Sequence, residues 1–98
     1  MKIIIAGTGE VGFHLSKLLA QEEHDIVIID NNEKALERAS KNLDVSTIKG
    51  DATSLRVLEN ARAGRCDLLI AVTSSQQVNI LACTMGKSFG VKKCIARI

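Results

Sequence analysis

The chain opens on a strand-length apolar run, Lys2–Ala6, followed at once by Gly7-Thr8-Gly9-Glu10-Val11-Gly12 and then by a helical pattern. Three glycines at that spacing between a strand and a helix permit backbone conformations and close approaches that a side chain would forbid. The first permits a tight turn, the second leaves bare backbone at the helix start, and the third lets the helix pack close to the sheet. The unpaired N–H groups of such a helix start carry partial positive charge and suit phosphate oxygens. A glycine turn without a ligand is the plainer alternative. Its place, between a first strand and a first helix, favours the phosphate-binding turn.

Beyond the turn, apolar and β-branched runs alternate with helical patterns. Strands are expected at Lys2–Ala6, Ile26–Asp30, Val45–Lys49, Leu68–Val72 and Lys93–Ile98, and helices at Val11–Gln21, Glu33–Asn42, Ser54–Ala61 and Ser75–Phe89. Ile26–Ile29 and Leu68–Val72 are apolar throughout, as strands covered on both faces must be. Asn31 or Asn32 caps the second helix. The periodicity assigns Val11, Leu15, Leu18 and Leu19 to the first helix's apolar face and Ala35, Leu36 and Ala39 to the second's. For the fourth it assigns Val78, Leu81, Ala82, Met85 and Phe89. With right-handed crossovers this alternation gives an α/β fold of the Rossmann type. It is a doubly wound parallel sheet of strand order 3-2-1-4-5 in three α/β/α layers. The 98 residues suffice for one domain. The last strand is apolar and a sixth is missing, so residues 1–98 are expected to be the N-terminal part of a longer protein and to self-associate.

Four further sites follow from that topology. Asp30 ends the second strand, 18 residues past Gly12. A carboxylate there accepts hydrogen bonds from both adenosine ribose hydroxyls and repels a 2′-phosphate, which favours NAD(H) over NADP(H). Asp51, in Gly50-Asp51-Ala52 after the third strand, either contacts the base or caps the following helix. Thr73 and Ser74 follow the fourth strand and face the glycine turn across the crevice, where they reach phosphates or the second ribose; the alternative is a helix cap from Ser74 or Ser75. Arg97, at the nicotinamide side, is either a phosphate ligand or a surface arginine. His14 and His24 sit away from these positions and are read as structural or solvated.

Composition excludes several classes. Aromatic residues are 2% of the chain and all are Phe, so no base-stacking platform exists and nucleic-acid binding is not expected. No apolar run reaches the roughly 18 residues of a membrane span. Cys66, Cys83 and Cys94 lack C-x-x-C spacing and read as buried, reduced thiols, which fits a cytoplasmic location and neither a zinc site nor a disulfide framework. Net charge is +2, but residues 1–67 carry nine basic and eleven acidic groups, while the remainder carries four basic groups and no acid. That excess attracts an anionic ligand or partner, or is balanced by a further segment.

As an ordered set these motifs resemble the N-terminal NAD-binding domain of Trk-type potassium-uptake regulators, the RCK N-terminal domain. The likeness rests on Lys2–Gly12, Val27-Ile-Ile-Asp30, Gly50-Asp51-Ala52, Ala71-Val-Thr73, Asn79-Ile-Leu-Ala-Cys83 and Ile95-Ala-Arg97-Ile98. It implies a non-enzymatic, cytoplasmic regulatory subunit, assembled as a dimer or larger ring, peripheral to the membrane through a potassium-transporting partner and not inserted in it. It implies NAD(H) contacts at Gly7, Thr8, Gly9, Glu10, Val11, Asp30, Thr73, Ser74 and Arg97. Members differ in ligand, and ATP or ADP in the same crevice is the implied variant. Gln76 and Gln77 stand where members often carry acids, which weakens any cation-sensing role for that loop. The rivals are a small NAD-dependent oxidoreductase, a methyltransferase domain binding S-adenosylmethionine, and a scaffold with a vestigial crevice. No acid–base pair marks the first, and no Asn/Asp-Pro-Pro motif marks the second.

Overall fold

Ile3, Ile4 and Ile5 cannot all face one side of a strand, because side chains alternate. All three are nevertheless buried to 2% exposure or less. The computed structural model, which describes residues 1–98, resolves this by covering both faces of a central sheet. In chain order the elements are β1 (Lys2–Ala6), α1 (Glu10–Ala20), β2 (Asp25–Asp30), α2 (Glu33–Asn42), β3 (Ser46–Lys49) and α3 (Leu55–Asn60). A 3-10 turn (Ala63–Arg65), β4 (Leu68–Ala71), α4 (Gln76–Phe89) and β5 (Lys93–Ala96) follow. The five strands form one parallel sheet in the order β3-β2-β1-β4-β5. This is the expected Rossmann-type topology, with boundaries moved by one or two residues.

Two cores follow from the alternation. On one face Ile4, Ala6, Ile29, Leu69 and Ala71 pack with Leu58 and Ala82, that is, under α3 and α4. On the other, Ile3, Ile5, Ile26, Ile28 and Ile70 pack with Phe13, Leu36 and Ala39, under α1 and α2. Ala6 pairs with both Ile29 and Ala71, so β1, β2 and β4 end level and their exit loops share one rim.

The helix faces depart from the periodicity in two places. In α1 the buried residues are Gly12, Phe13 and Ser16, while Val11 and Leu18 are 41% and 61% exposed. The small Gly12 and Ser16 let the helix sit close to the sheet, and that rotates the leucine stripe partly outward. In α4 the buried line is Asn79, Ala82 and Gly86, and Leu81 is half-exposed. A Cβ at Gly86 would stand 2.7 Å from the Leu69 side chain, so α4 approaches the sheet on its smallest residues. Cys66 is buried, but Cys83 and Cys94 are only partly so. β5 is an edge strand, with Ile95 47% and Ile98 87% exposed. No helix is long and apolar enough to cross a membrane.

Candidate nucleotide site

The level rim at the carboxyl ends of the strands opens into a crevice of about 620 Å³. Its position is where the strand order reverses, between β1 and β4, and open α/β sheets bind ligands there. The wall includes Gly7, Thr8, Gly9, Glu10 and Val11 from the turn, Asp30 from β2, Asp51 after β3, Thr73 and Ser74 after β4, and Arg97 after β5. Gly12 lies under the turn and outside that wall. Asn31, Asn32 and Gly50 also line the crevice; the sequence offered Asn31 or Asn32 only as a helix cap and Gly50 only as part of its motif. A smaller hollow of about 270 Å³ opens at the opposite end of the strands, between Lys2, Asp25, Ser46 and Arg62.

The turn has the geometry its glycines require. Gly7 has φ +105°, and a Cβ there would meet the Thr73 backbone N at 2.9 Å. A Cβ on Gly12 would fall 1.9 Å from the Gly7 carbonyl oxygen. At Gly9, by contrast, a Cβ would meet nothing within 4 Å, because it would project into the crevice. The three glycines thus serve a left-handed turn, a backbone crossing and an open approach.

What faces that opening is the N-terminus of α1. The other three helices are capped by side chains: Asn32 accepts from the Ala35 N–H at 3.0 Å, Ser54 from Val57 at 3.4 Å and Ser75 from Val78 at 3.2 Å. Gly9, at the cap position of α1, has no side chain to offer, and no side-chain cap bond is made. The first backbone bond of the helix runs from the Phe13 N–H to the Gly9 carbonyl at 2.8 Å. The preceding N–H groups are left for a ligand or water. Beside them, the Thr8 hydroxyl is the one buried side-chain polar atom without a hydrogen-bond partner. Unpaired amides, an orphaned hydroxyl and an unfilled cradle at Gly9 together fit a phosphate-bearing group.

Asp30 connects the turn to the second strand. Its Oδ2 accepts from the Thr8 N–H and its Oδ1 from the Asn32 N–H, both at 2.8 Å. A carboxylate oxygen carries two lone pairs, so both oxygens retain capacity for ribose hydroxyls. Asp51 accepts through Oδ1 from the Thr53 hydroxyl at 2.7 Å and the Thr53 N–H at 2.8 Å, closing a tight turn; Ser54, not Asp51, caps α3. Those two bonds, the hydroxyl's first, hold its carboxyl below the usual range. Glu10, at the crevice wall, pairs with Arg38 at 3.6 Å, and that guanidinium also lies 3.9 Å over the Phe13 ring.

The far wall is organised differently. The Thr73 N–H donates to Asn79 Oδ1 at 2.9 Å and its hydroxyl donates to the same oxygen at 2.6 Å, so both Thr73 donors point into the protein. Ser74 is exposed and its N–H makes no bond within the chain. Arg97 is exposed, and its guanidinium makes no ion pair among those the chain forms. Asn79 is the residue the sequence reading missed here. In the sequence it stood only within the Asn79–Cys83 run, and its alignment with Ala82 and Gly86 on the buried face of α4 emerges only from the structure.

Comparison with known proteins agrees with this architecture. The family model described as the TrkA-N domain matches residues 3–98. A curated relative, the Trk system potassium uptake protein TrkA homolog of Archaeoglobus fulgidus, is 43% identical over the whole chain, which covers 22% of that protein. The Trk system potassium uptake protein TrkA of Haemophilus influenzae is 40% identical, again with 22% of its length covered. The chain therefore spans about a fifth of the length of these relatives. Among solved structures, the Shewanella denitrificans Kef CTD in AMP-bound form superposes with a TM-score of 0.80 at 22% identity, over 97% of this chain and 57% of that one. The Bordetella bronchiseptica enzyme WbmG in complex with NAD gives 0.77 at 22%, over 96% and 36%. The two structures support the fold, and the family match, running through the glycine turn, Asp30 and the β4 and β5 exits, places this chain in the TrkA-N domain family.

Proposed function

We propose that the crevice binds NAD(H) and that the domain uses this binding to regulate a potassium-transporting membrane partner without transforming the nucleotide. The observation that carries the reading is the uncapped start of α1 under a bare Gly9, with the Asp30 carboxylate tied to the same turn. In this reading the α1 amides receive the pyrophosphate, Asp30 the adenosine ribose and Asp51 the adenine end. Thr73, Ser74 and Arg97 form the nicotinamide half. That half contains no group suited to proton exchange near neutral pH, which supports a binding role over catalysis. The relatives' names support the potassium partner, and an AMP-bound neighbour of the same fold supports an adenine nucleotide such as ATP or ADP as a competing occupant. A cytoplasmic, membrane-peripheral homo-oligomer completes the proposal.

Regulation then works through differential affinity. A ligand shifts a conformational equilibrium only by as much as it binds one state better, and a coupling of about 1–3 kcal/mol corresponds to 5–150-fold control. Calorimetry with NADH, NADPH and ADP tests the ligand, with NADH expected to bind more tightly than NADPH. Equal or tighter NADPH binding overturns the role of Asp30. Steady, protein-dependent oxidation of NADH by added acceptors would refute the non-enzymatic reading. Reconstituted potassium flux is expected to respond to NADH; flux indifferent to every nucleotide that binds sinks the regulatory role.

A further inference from the structure

Asn79 is 1% exposed, lies outside the crevice wall, and still holds two of its residues. Its Oδ1 accepts from the Thr73 N–H at 2.9 Å and the Thr73 hydroxyl at 2.6 Å. Its Nδ2 donates to the Thr73 carbonyl at 3.1 Å and to the Arg97 carbonyl at 3.1 Å. Thr73 follows β4 and Arg97 follows β5, two strands that are neighbours in the sheet. One side chain therefore clamps both exits of the far wall: the Arg97 N–H is tied to the Ala71 carbonyl at the end of β4 at 2.9 Å, but only Asn79 links Arg97 to Thr73.

The other residues on the same buried line of α4 are the small Ala82 and Gly86, so Asn79 is the one polar side chain there. An apolar residue in its place would leave the Thr73 N–H and the Thr73 and Arg97 carbonyls without this partner. An amide is retained although its desolvation must be offset by a full set of partners, and here it has them: both amide protons and the carbonyl oxygen are engaged. The division of labour is informative. The oxygen serves the β4 exit alone, and the nitrogen spans the β4 and β5 exits. The near wall needs none of this, because the glycine turn and Asp30 are joined by their own bond at 2.8 Å.

We infer that Asn79 is the positioning residue for the far half of the crevice, setting Thr73 and Arg97 relative to each other and so controlling affinity for the second half of a dinucleotide it never touches. This rests on the reading of the crevice as a dinucleotide site. Because the near wall shares no hydrogen bond with Asn79 and is held by its own Thr8–Asp30 bond, a mononucleotide seated on the glycine turn and Asp30 should sense it far less. The positioning role therefore predicts a change in the ratio of two affinities, which general loosening of the fold would leave unaltered.

The test is calorimetry of the protein with NADH and with AMP, before and after substitution. Asn79→Ala is expected to weaken NADH about tenfold, the size of one lost hydrogen bond's net contribution, and to leave AMP within about twofold. Asn79→Ser, which keeps a small polar group too short to span both exits, guards against simple misfolding and is expected to show the same selective loss. NADH binding unchanged in both variants overturns the proposal, and so does equal loss of NADH and AMP, which marks a purely structural residue. A wild-type protein that binds neither ligand refutes the dinucleotide reading and this proposal with it; wild-type binding of both with unselective variants refutes only the role of Asn79.

Discussion

Gly9 and Gly12 stand three residues apart in one motif and answer to different constraints. Gly9 has φ −73° and ψ −158°, which any residue adopts, and open space where a Cβ would go. Gly9→Val should therefore fold with a stability loss of about 1 kcal/mol or less, the cost of an apolar residue at a helix cap, while losing NADH binding. Gly12→Ala should do the reverse of a clean binding variant. Its methyl group meets the Gly7 backbone, which cannot swing aside, and destabilisation of about 3 kcal/mol, at the upper end for overpacking, is expected in chemical denaturation. Asp30 combines both kinds of demand. Asp30→Ala removes the proposed ribose acceptor and also releases the Thr8 and Asn32 N–H groups, so NADH affinity should fall by roughly 1–3 kcal/mol in calorimetry. The motif spacing made all three residues legible as candidates in the primary structure. The tie from Asp30 to Thr8 was not legible, because it joins positions on different elements that meet only when the strands align.

Among the helices, the contrast between α1 and the rest carries the functional argument. Asn32, Ser54 and Ser75 each satisfy an N-terminal amide of their own helix, whereas no side chain does so for α1. Asn32→Ala and Ser75→Ala should each lower stability by about 0.5–2 kcal/mol, read as a shift in the urea midpoint. Helix existence and the caps of α2 and α4 were readable, to within a residue, because both depend on near neighbours; the cap of α3 was not, since Ser54 was read as the first residue of the helix and Asp51 as the cap candidate. Helix orientation was not. α1 and α4 are apolar on more than one side, so periodicity assigned Leu18 and Leu81 to buried faces, while contact with the sheet selected the small residues Gly12, Ser16, Ala82 and Gly86 instead. Close approach of backbone to sheet outweighs the burial of one more leucine when the leucine still covers part of the surface from the side.

Across the folded chain, titration should report the tertiary contacts. The Asp67 carboxyl is held below its usual value by the Lys2 N–H at 2.8 Å and by Lys92 at 3.1 Å, and that of Asp51 by its Thr53 bonds. A carboxyl whose value is lowered by folding contributes stability above its ordinary value of 3.8, and that contribution is lost as pH falls through the lowered values. Burial, in contrast, pushes the Cys83 thiol from 9.0 up to about 11. Its contribution is full below pH 9.0 and lost as the pH rises towards about 11, because the unfolded chain ionises first. Urea midpoints at neutral pH should therefore exceed those at both extremes, and Cys83→Ala should flatten the alkaline limb. An alkaline limb unchanged by that substitution would remove Cys83 as its cause.

The alternation of strands and helices, the glycine turn and the acidic residue at the end of β2 are all written in local pattern. Each depends on alternation, glycine spacing or charge within one stretch of chain, and local pattern survives without knowledge of the fold. The hub at Asn79, the saturation of Thr73 by that hub and the pairing of Glu10 with Arg38 belong to a different class. They join residues from separate elements through hydrogen bonds and ion pairs whose lengths are settled only when sheet and helices close on each other. An asparagine within a helix has no local feature that separates a solvated amide from a buried clamp. Burial and partners make that difference, and both are properties of the packed molecule.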